Sequence, residues 1–167
     1  MALHDAALLK QGFVCDRFPL SEQLRRLVEA ENWIEVDRAM GRLLQSDGAL
    51  FRQLERYHTF TDIEHILAIR DAADPDEEDG IWHDDGSRSL AMTLSLTCDA
   101  HWIEGGRLGI RRKGEGGGVL LPTLELGDMD VYLTGRYGYE HRIHRVRGGR
   151  RVVVAAWCSD GPQRPNS

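Results

Sequence analysis

A chain of 167 residues with 41% hydrophobic and 29% charged residues can bury on the order of 70% of its unfolded surface, which excludes wholesale disorder, a collagen-like chain and a coiled coil. Its longest uninterrupted apolar run, Val152 to Cys158, has seven residues, against the roughly 20 that a bilayer span requires, so no membrane crossing is expected. The formal net charge of −6 disfavours nucleic acid as a partner, because non-specific binding draws its affinity from neutralised phosphates.

The first residues, Met1-Ala2-Leu3-His4-Asp5, lack a basic region, and the Ala-Leu stretch after them has no cleavage-site pattern, so no secretory signal is legible. From Pro19 to His58 the apolar residues recur with helical spacing: Leu24, Leu27 and Val28, then Val36, Met40, Leu43 and Leu44, then Leu50, Phe51, Leu54 and Tyr57. Ser21 followed by Glu22 predicts a helix start, and Ser46-Asp47-Gly48 predicts a turn before the last helix, while Asn32 leaves open whether the middle stretch is split. After Thr59 the texture changes to short strands, predicted at Ile63–Ile69, Leu90–Thr97, Arg107–Arg111, Val119–Leu121, Asp130–Leu133, His141–Val146 and Val152–Trp157. Turn-forming or charged stretches separate them. Lys113 to Gly118 reads as a hairpin loop, having neither the lysine placement nor the following helix of a phosphate-binding loop, and the acidic run Asp74 to Asp79 reads as a solvated loop. The expected organisation is one compact domain, mainly β: residues 1–58 as a helical support, 59–160 as an antiparallel β core, and 161–167 as a tail.

Charge is unevenly spread. Residues 1–100 carry a formal charge of −10 and residues 101–167 one of +4, with Arg142, Arg145, Arg147, Arg150 and Arg151 in one short segment. That segment can attract a small anion. Cys15, Cys98 and Cys158 are odd in number and far apart, which fits neither a disulfide framework nor a metal-binding Cys-x-x-Cys, and points to a reduced, cytoplasmic protein.

Of the seven histidines, His4, His58, His65 and His101 read as structural. His83 stands apart because of Trp82-His83-Asp84-Asp85-Gly86: on an extended backbone, residues 83 and 85 project to the same side and form half a metal site. A second imidazole, from His141 or His144, would complete two histidines and one carboxylate, a facial set that suits iron(II) and leaves positions for exchangeable ligands. Beyond them Arg147-Gly148-Gly149-Arg150-Arg151 forms a turn flanked by arginines, one of which can enter the sheet and pair with a carboxylate.

Five stretches between about Ile63 and Trp157 carry a family resemblance: His83-Asp84-Asp85; the strand Leu90 to Thr97; Trp102-x-x-Gly105-Gly106-x-Leu108; Pro122 through Gly127 to Tyr132; and His141-x-Ile143-x-x-Val146-x-x-Gly149-x-Arg151 through Trp157. In order and spacing they resemble the iron(II)/2-oxoglutarate-dependent dioxygenases, particularly the prolyl-hydroxylase-like branch. The resemblance implies a double-stranded β-helix, or jelly roll, with His83, Asp85 and His141 as iron(II) ligands. Arg151 is implied as the partner of the distal carboxylate of 2-oxoglutarate, with Arg150 as its competitor. It further implies dioxygen as co-reactant, a small-molecule or peptidyl substrate hydroxylated at an unactivated C–H bond, and succinate and carbon dioxide as co-products. The family's usual proline after the distal histidine is replaced by Arg145, and no tyrosine precedes His83 at the place some relatives have one. An alternative reading is a cupin-like metal protein that does not use 2-oxoglutarate. The absence of any His-x-His weighs against it.

Overall fold

The computed structural model describes residues 3–160, so the predicted tail at 161–167 lies outside the described residues. Four helices and ten strands follow one another: α1 Ala6–Gln11, β1 Phe13–Arg17, α2 Glu22–Glu29, α3 Trp33–Leu43, α4 Ala49–Glu55, β2 Asp62–Asp71, β3 Leu90–Ser95, β4 Glu104–Gly105, β5 Leu108–Arg112, β6 Val119–Leu120, β7 Asp128–Leu133, β8 Tyr139–Ile143, β9 Val146–Gly148 and β10 Arg150–Ser159.

The helices start and stop where local chemistry dictates. Ser21 caps α2, its side chain accepting from the Leu24 N–H. Glu31, in the left-handed region at φ 52°, breaks the helical run, so that a separate α3 begins after Asn32 and the stretch is split. Leu24, Val28, Val36, Met40, Leu50 and Leu54 turn inward and join one hydrophobic core with the strands. No helix among the described residues is long and apolar enough to cross a membrane.

A five-stranded antiparallel sheet has the order β1-β7-β3-β10-β2, and facing it are β6-β5-β8 and the short pair β4-β9. The pairing is nested: β2 pairs with β10, His83 bridges to His141 of β8, β3 pairs with β7, and β5 with β6. Apart from the edge strand β1, the chain from β2 to β10 pairs its two ends and then successive inner segments toward the β5–β6 turn, which makes it a long hairpin wound into a jelly roll. The β5–β6 hairpin contains the Lys113 to Gly118 loop, as expected.

Pleating gives the large sheet two different faces. Leu90, Met92, Leu94, Met129, Val131, Leu133, Val152, Val154, Ala156 and Cys158 pack into the core with the helices. The alternate residues form cross-strand rows on the interior of the roll: Trp157, Ala91 and Tyr132 in one row, Ala155, Thr93 and Asp130 in the next.

Two expectations are corrected. The 1–58 region is not wholly helical, because Phe13–Arg17 forms an edge strand antiparallel to β7. Five residues after the α1-terminating Gly12 carry too little periodicity to announce a strand, and its stability comes from the non-local partner. The acidic run is not simply solvated either. Glu77 is buried, paired to Arg70 at 2.8 Å and accepting from the Val146 N–H, while Asp79 accepts from the Arg145 N–H, so the loop is clipped onto the chain between β8 and β9.

Leu94 is fully buried at the centre of the large sheet. Leu94→Ala is expected to lower unfolding free energy by about 2–5 kcal/mol, the usual range for such cavities, as measured by urea denaturation.

Candidate metal centre and anion pocket

His83 lies in a bridge to His141, with the His83 N–H donating to the His141 carbonyl at 3.1 Å and the reverse bond at 2.9 Å. The two rings are therefore held 4.3 Å apart between centroids. Asp85 reaches them by a different geometry from the one alternation suggests. Its backbone is left-handed, at φ 58°, and Gly86 follows at φ 67°, so a turn rather than a pleat swings the carboxylate back over the imidazoles. Its Oδ1 lies 3.3 Å from His83 Nε2 and its Oδ2 3.3 Å from His141 Nε2. Asp84 turns outward to pair with Lys113, and His144 faces Asp79 at 3.7 Å, so neither competitor joins the group.

The hydrogen bonds define what these atoms are. His83 Nδ1 lies 2.9 Å from the Ile81 carbonyl, an acceptor only, so in the neutral ring Nδ1 carries the hydrogen and Nε2 presents a bare lone pair. That lone pair faces the carboxylate. Burial pushes His141 down to about 4, against the opposing pull of the Asp85 charge, which favours its neutral imidazole form. Its Nδ1 is buried with no hydrogen-bond partner among the described residues. Trp157, from the interior row of β10, donates its indole N–H to Asp85 Oδ2 at 2.8 Å and orients the carboxylate. Tyr132 packs edge-on against His141, centroids 5.0 Å apart.

One ligand atom from each of His83, Asp85 and His141 lies within 4.8 Å of the other two. Acceptors converging on one point without a hydrogen between them repel unless a cation sits there. Two imidazoles and one carboxylate, with the remaining positions free, fit a ferrous ion by donor type and number.

Arg150 and Arg151 diverge at the start of β10. Arg150 reaches outward to an ion pair with Glu31, whereas Arg151 points into a cavity lined also by Ser95, Thr97, Arg107, Leu124 and Asp130. Arg151 is 9% exposed. Burial lowers its pKa to about 10, opposed by Tyr132 and assisted by Arg70. Among the described residues its side chain forms no ion pair or hydrogen bond. Asp130 in the same cavity and Glu77 compensate its charge without pairing with it directly, and a carboxylate entering the cavity would give it a direct partner. The adjacent glycines make room: Gly105 at φ 76° and Gly106 at φ 63° are left-handed, and a Cβ on Gly106 would come within 3.0 Å of Arg151 Cδ.

The chain thus brings together His83, Asp85 and His141 and places Arg151 in a cavity on the interior of the roll. The role of Trp157 as donor to Asp85 and the presence of Asp130 in the cavity were not foreseen. Signals for both existed: Trp157 shares strand parity with Arg151, and Asp130 is the lone charge between Met129 and Val131 in a buried strand. His58, expected to be structural, is so: fully buried, its Nε2 lies 2.6 Å from the Tyr137 hydroxyl.

Scanning the sequence against protein-family models finds no match, and a search of curated proteins finds none either. Solved structures do match. A prolyl-4-hydroxylase from Pseudomonas putida superposes with a TM-score of 0.62 at 20% identity, covering 91% of this chain and 90% of that one. A prolyl hydroxylase from Trichoplax adhaerens, solved with a hypoxia inducible factor peptide fragment, gives 0.62 at 12% identity over 95% and 88%. The alpha-ketoglutarate-dependent carbocyclase SnoK from nogalamycin biosynthesis gives 0.57 at 13% over 93% and 85%. At these identities the likeness establishes the fold, a mainly β jelly roll of the kind found in 2-oxoglutarate-dependent oxygenases.

Trp157→Phe keeps the ring and removes the donor. It is expected to weaken divalent transition-metal binding about 10- to 100-fold, the usual cost of losing an outer-shell hydrogen bond, as read by titrating metal into the metal-free protein.

Proposed function

We propose that the protein is an iron(II)- and 2-oxoglutarate-dependent dioxygenase that hydroxylates an unactivated C–H bond of a small molecule or peptidyl residue, releasing succinate and carbon dioxide. The observation that carries this reading is a pair: two imidazoles and a carboxylate converging on one point, and a buried guanidinium, Arg151, that faces a cavity and forms no direct ion pair among the described residues. A cation site alone would fit many proteins. A cationic cavity linked to it through Tyr132, which packs against His141 and acts electrostatically on Arg151, is what a chelating dicarboxylate needs.

In this reading His83, Asp85 and His141 hold the iron, and Arg151 receives the distal carboxylate of 2-oxoglutarate. The ferrous ion and the keto acid together supply the oxidant that dioxygen becomes. This chain's own residues do the rest. Trp157 holds Asp85 in place, the neutral His141 seals the buried side, and the Ser95, Thr97 and Arg151 cavity orients the cosubstrate. The His83 side chain is 47% exposed, so solvent and substrate reach the metal from its side. Asp85 supplies a carboxylate at the place that halogenating variants of this chemistry leave free for halide, which favours hydroxylation. Residues 59–160 form the catalytic core in this proposal, with 1–58 as its support. A cytoplasmic location is supported by free thiols at Cys15, Cys98 and Cys158.

Adding iron(II) and 2-oxoglutarate under anaerobic conditions tests the proposal directly. The expected result is a weak visible charge-transfer band, and under oxygen a release of succinate; a cupin-like protein that does not use the keto acid would give neither. Asp85→Ala is expected to abolish high-affinity iron binding in a metal titration. In Arg151→Ala the affinity for 2-oxoglutarate should fall about 30-fold to several thousand-fold, corresponding to about 2–5 kcal/mol for losing one member of a buried charged pair. Arg150→Ala should leave that affinity close to wild type, because Arg150 is engaged with Glu31 outside the cavity.

A further inference from the structure

The cavity that contains Arg151 also contains an acid. Asp130, on β7, is 1% exposed and lines the same cavity as Arg151, Ser95, Thr97 and Arg107. Its place in the interior row opposite Thr93 aims the carboxyl between the sheets rather than into the helix-facing core. A carboxylate is a poor neighbour for the carboxylate of an incoming dicarboxylate. Two such groups sharing one desolvated site do not both stay ionised, and one of them holds a proton.

Resting on the oxygenase reading above, we propose that Asp130 is a cosubstrate-binding residue that takes up one proton from solvent when 2-oxoglutarate enters, and in that form donates a hydrogen bond to the distal carboxylate paired with Arg151. The bond that forms is Asp130 O–H, and the proton stays on Asp130 until the dicarboxylate leaves. Cosubstrate affinity is thereby coupled to pH by a residue outside the metal site.

The surroundings support this assignment. Desolvation pushes the carboxyl of Asp130 up to about 6 before any anion arrives, against the lowering pull of the Cys15 thiol hydrogen bond and of Arg151. Cys15 on β1 donates to Asp130 Oδ1 at 3.2 Å, and partial desolvation followed by Asp130 itself pushes that thiol up to about 11, so it remains a neutral donor. On the same strand Asp128 is engaged by Arg17 at 2.6 Å, and burial keeps the Tyr132 phenol protonated. Arg107 is committed to the Leu121 and Leu120 carbonyls at 2.7 and 3.0 Å. Behind Arg151 the Arg70–Glu77 pair is internally neutral. Asp130 is accordingly the group facing this cavity whose protonation changes between pH 6 and 8. The sign follows: binding raises its pKa further, so above pH 6 the complex carries one more proton than the free protein and affinity falls as pH rises.

The test is anaerobic calorimetric titration of 2-oxoglutarate into the iron(II)-loaded protein at pH 6.5, 7.25 and 8, in two buffers of different ionisation enthalpy. For the wild type, Kd is expected to rise about tenfold per pH unit, with close to one proton taken up per binding event at pH 7.25. Asp130→Asn, which keeps shape and a donor, should bind with little pH dependence and take up close to one proton fewer. Asp130→Ala provides a second variant with the same expected loss of slope. An unchanged slope and unchanged proton uptake in a variant that still binds would overturn the inference while leaving the oxygenase reading intact. Absence of keto-acid binding by the wild type at every pH would sink both.

Discussion

Three hydrogen-bond acceptors aimed at one another form an arrangement that a protein tolerates only for a reason. The His83 Nε2 lone pair faces Asp85 because the other ring nitrogen is committed to a backbone carbonyl, and the buried His141 faces the same carboxylate as a neutral ring. The surrounding structure holds these groups in that arrangement. It does so with the reciprocal backbone bonds of the His83–His141 bridge, the left-handed turn at Asp85 and Gly86, and the indole N–H of Trp157. Each of these belongs to a different part of the roll: one to the small sheet, one to the loop before β3, one to the last strand of the large sheet.

The same economy of charge governs the neighbouring cavity. Arg151 is buried with no direct ion pair among the described residues, whereas Arg150 meets Glu31, Arg70 meets Glu77, and Arg107 is held by backbone carbonyls. The acidic loop from Asp74 to Asp79 contributes by clipping the chain between β8 and β9, which steadies the strand that carries His141.

Much of this was legible before any fold was known. The His83-x-Asp85 spacing, the distal His141, and the Gly-x-Arg leading to Trp157 are local patterns, and they named the three residues that converge and the arginine that enters the cavity. The helices from Ser21 to Glu55 announced themselves through caps and 3.6-residue spacing, because their buried faces repeat within one element. Illegible features were those whose cause is non-local. Phe13–Arg17 is a strand only because β7 lies beside it, Glu77 is buried only because Arg70 approaches from β2, and Asp85 reaches the histidines by a backbone turn that alternation does not foresee.

By itself the sequence determined which metal-ligating and cationic side chains were present, and in what order, since ligand chemistry is a property of side chains and spacing. Tertiary structure decided between neighbours of identical chemistry: Asp85 over Asp84, His141 over His144, Arg151 over Arg150. In each case the two candidates differ only in the direction the backbone gives them, and that direction comes from strand pairing and turn geometry between segments far apart in the chain.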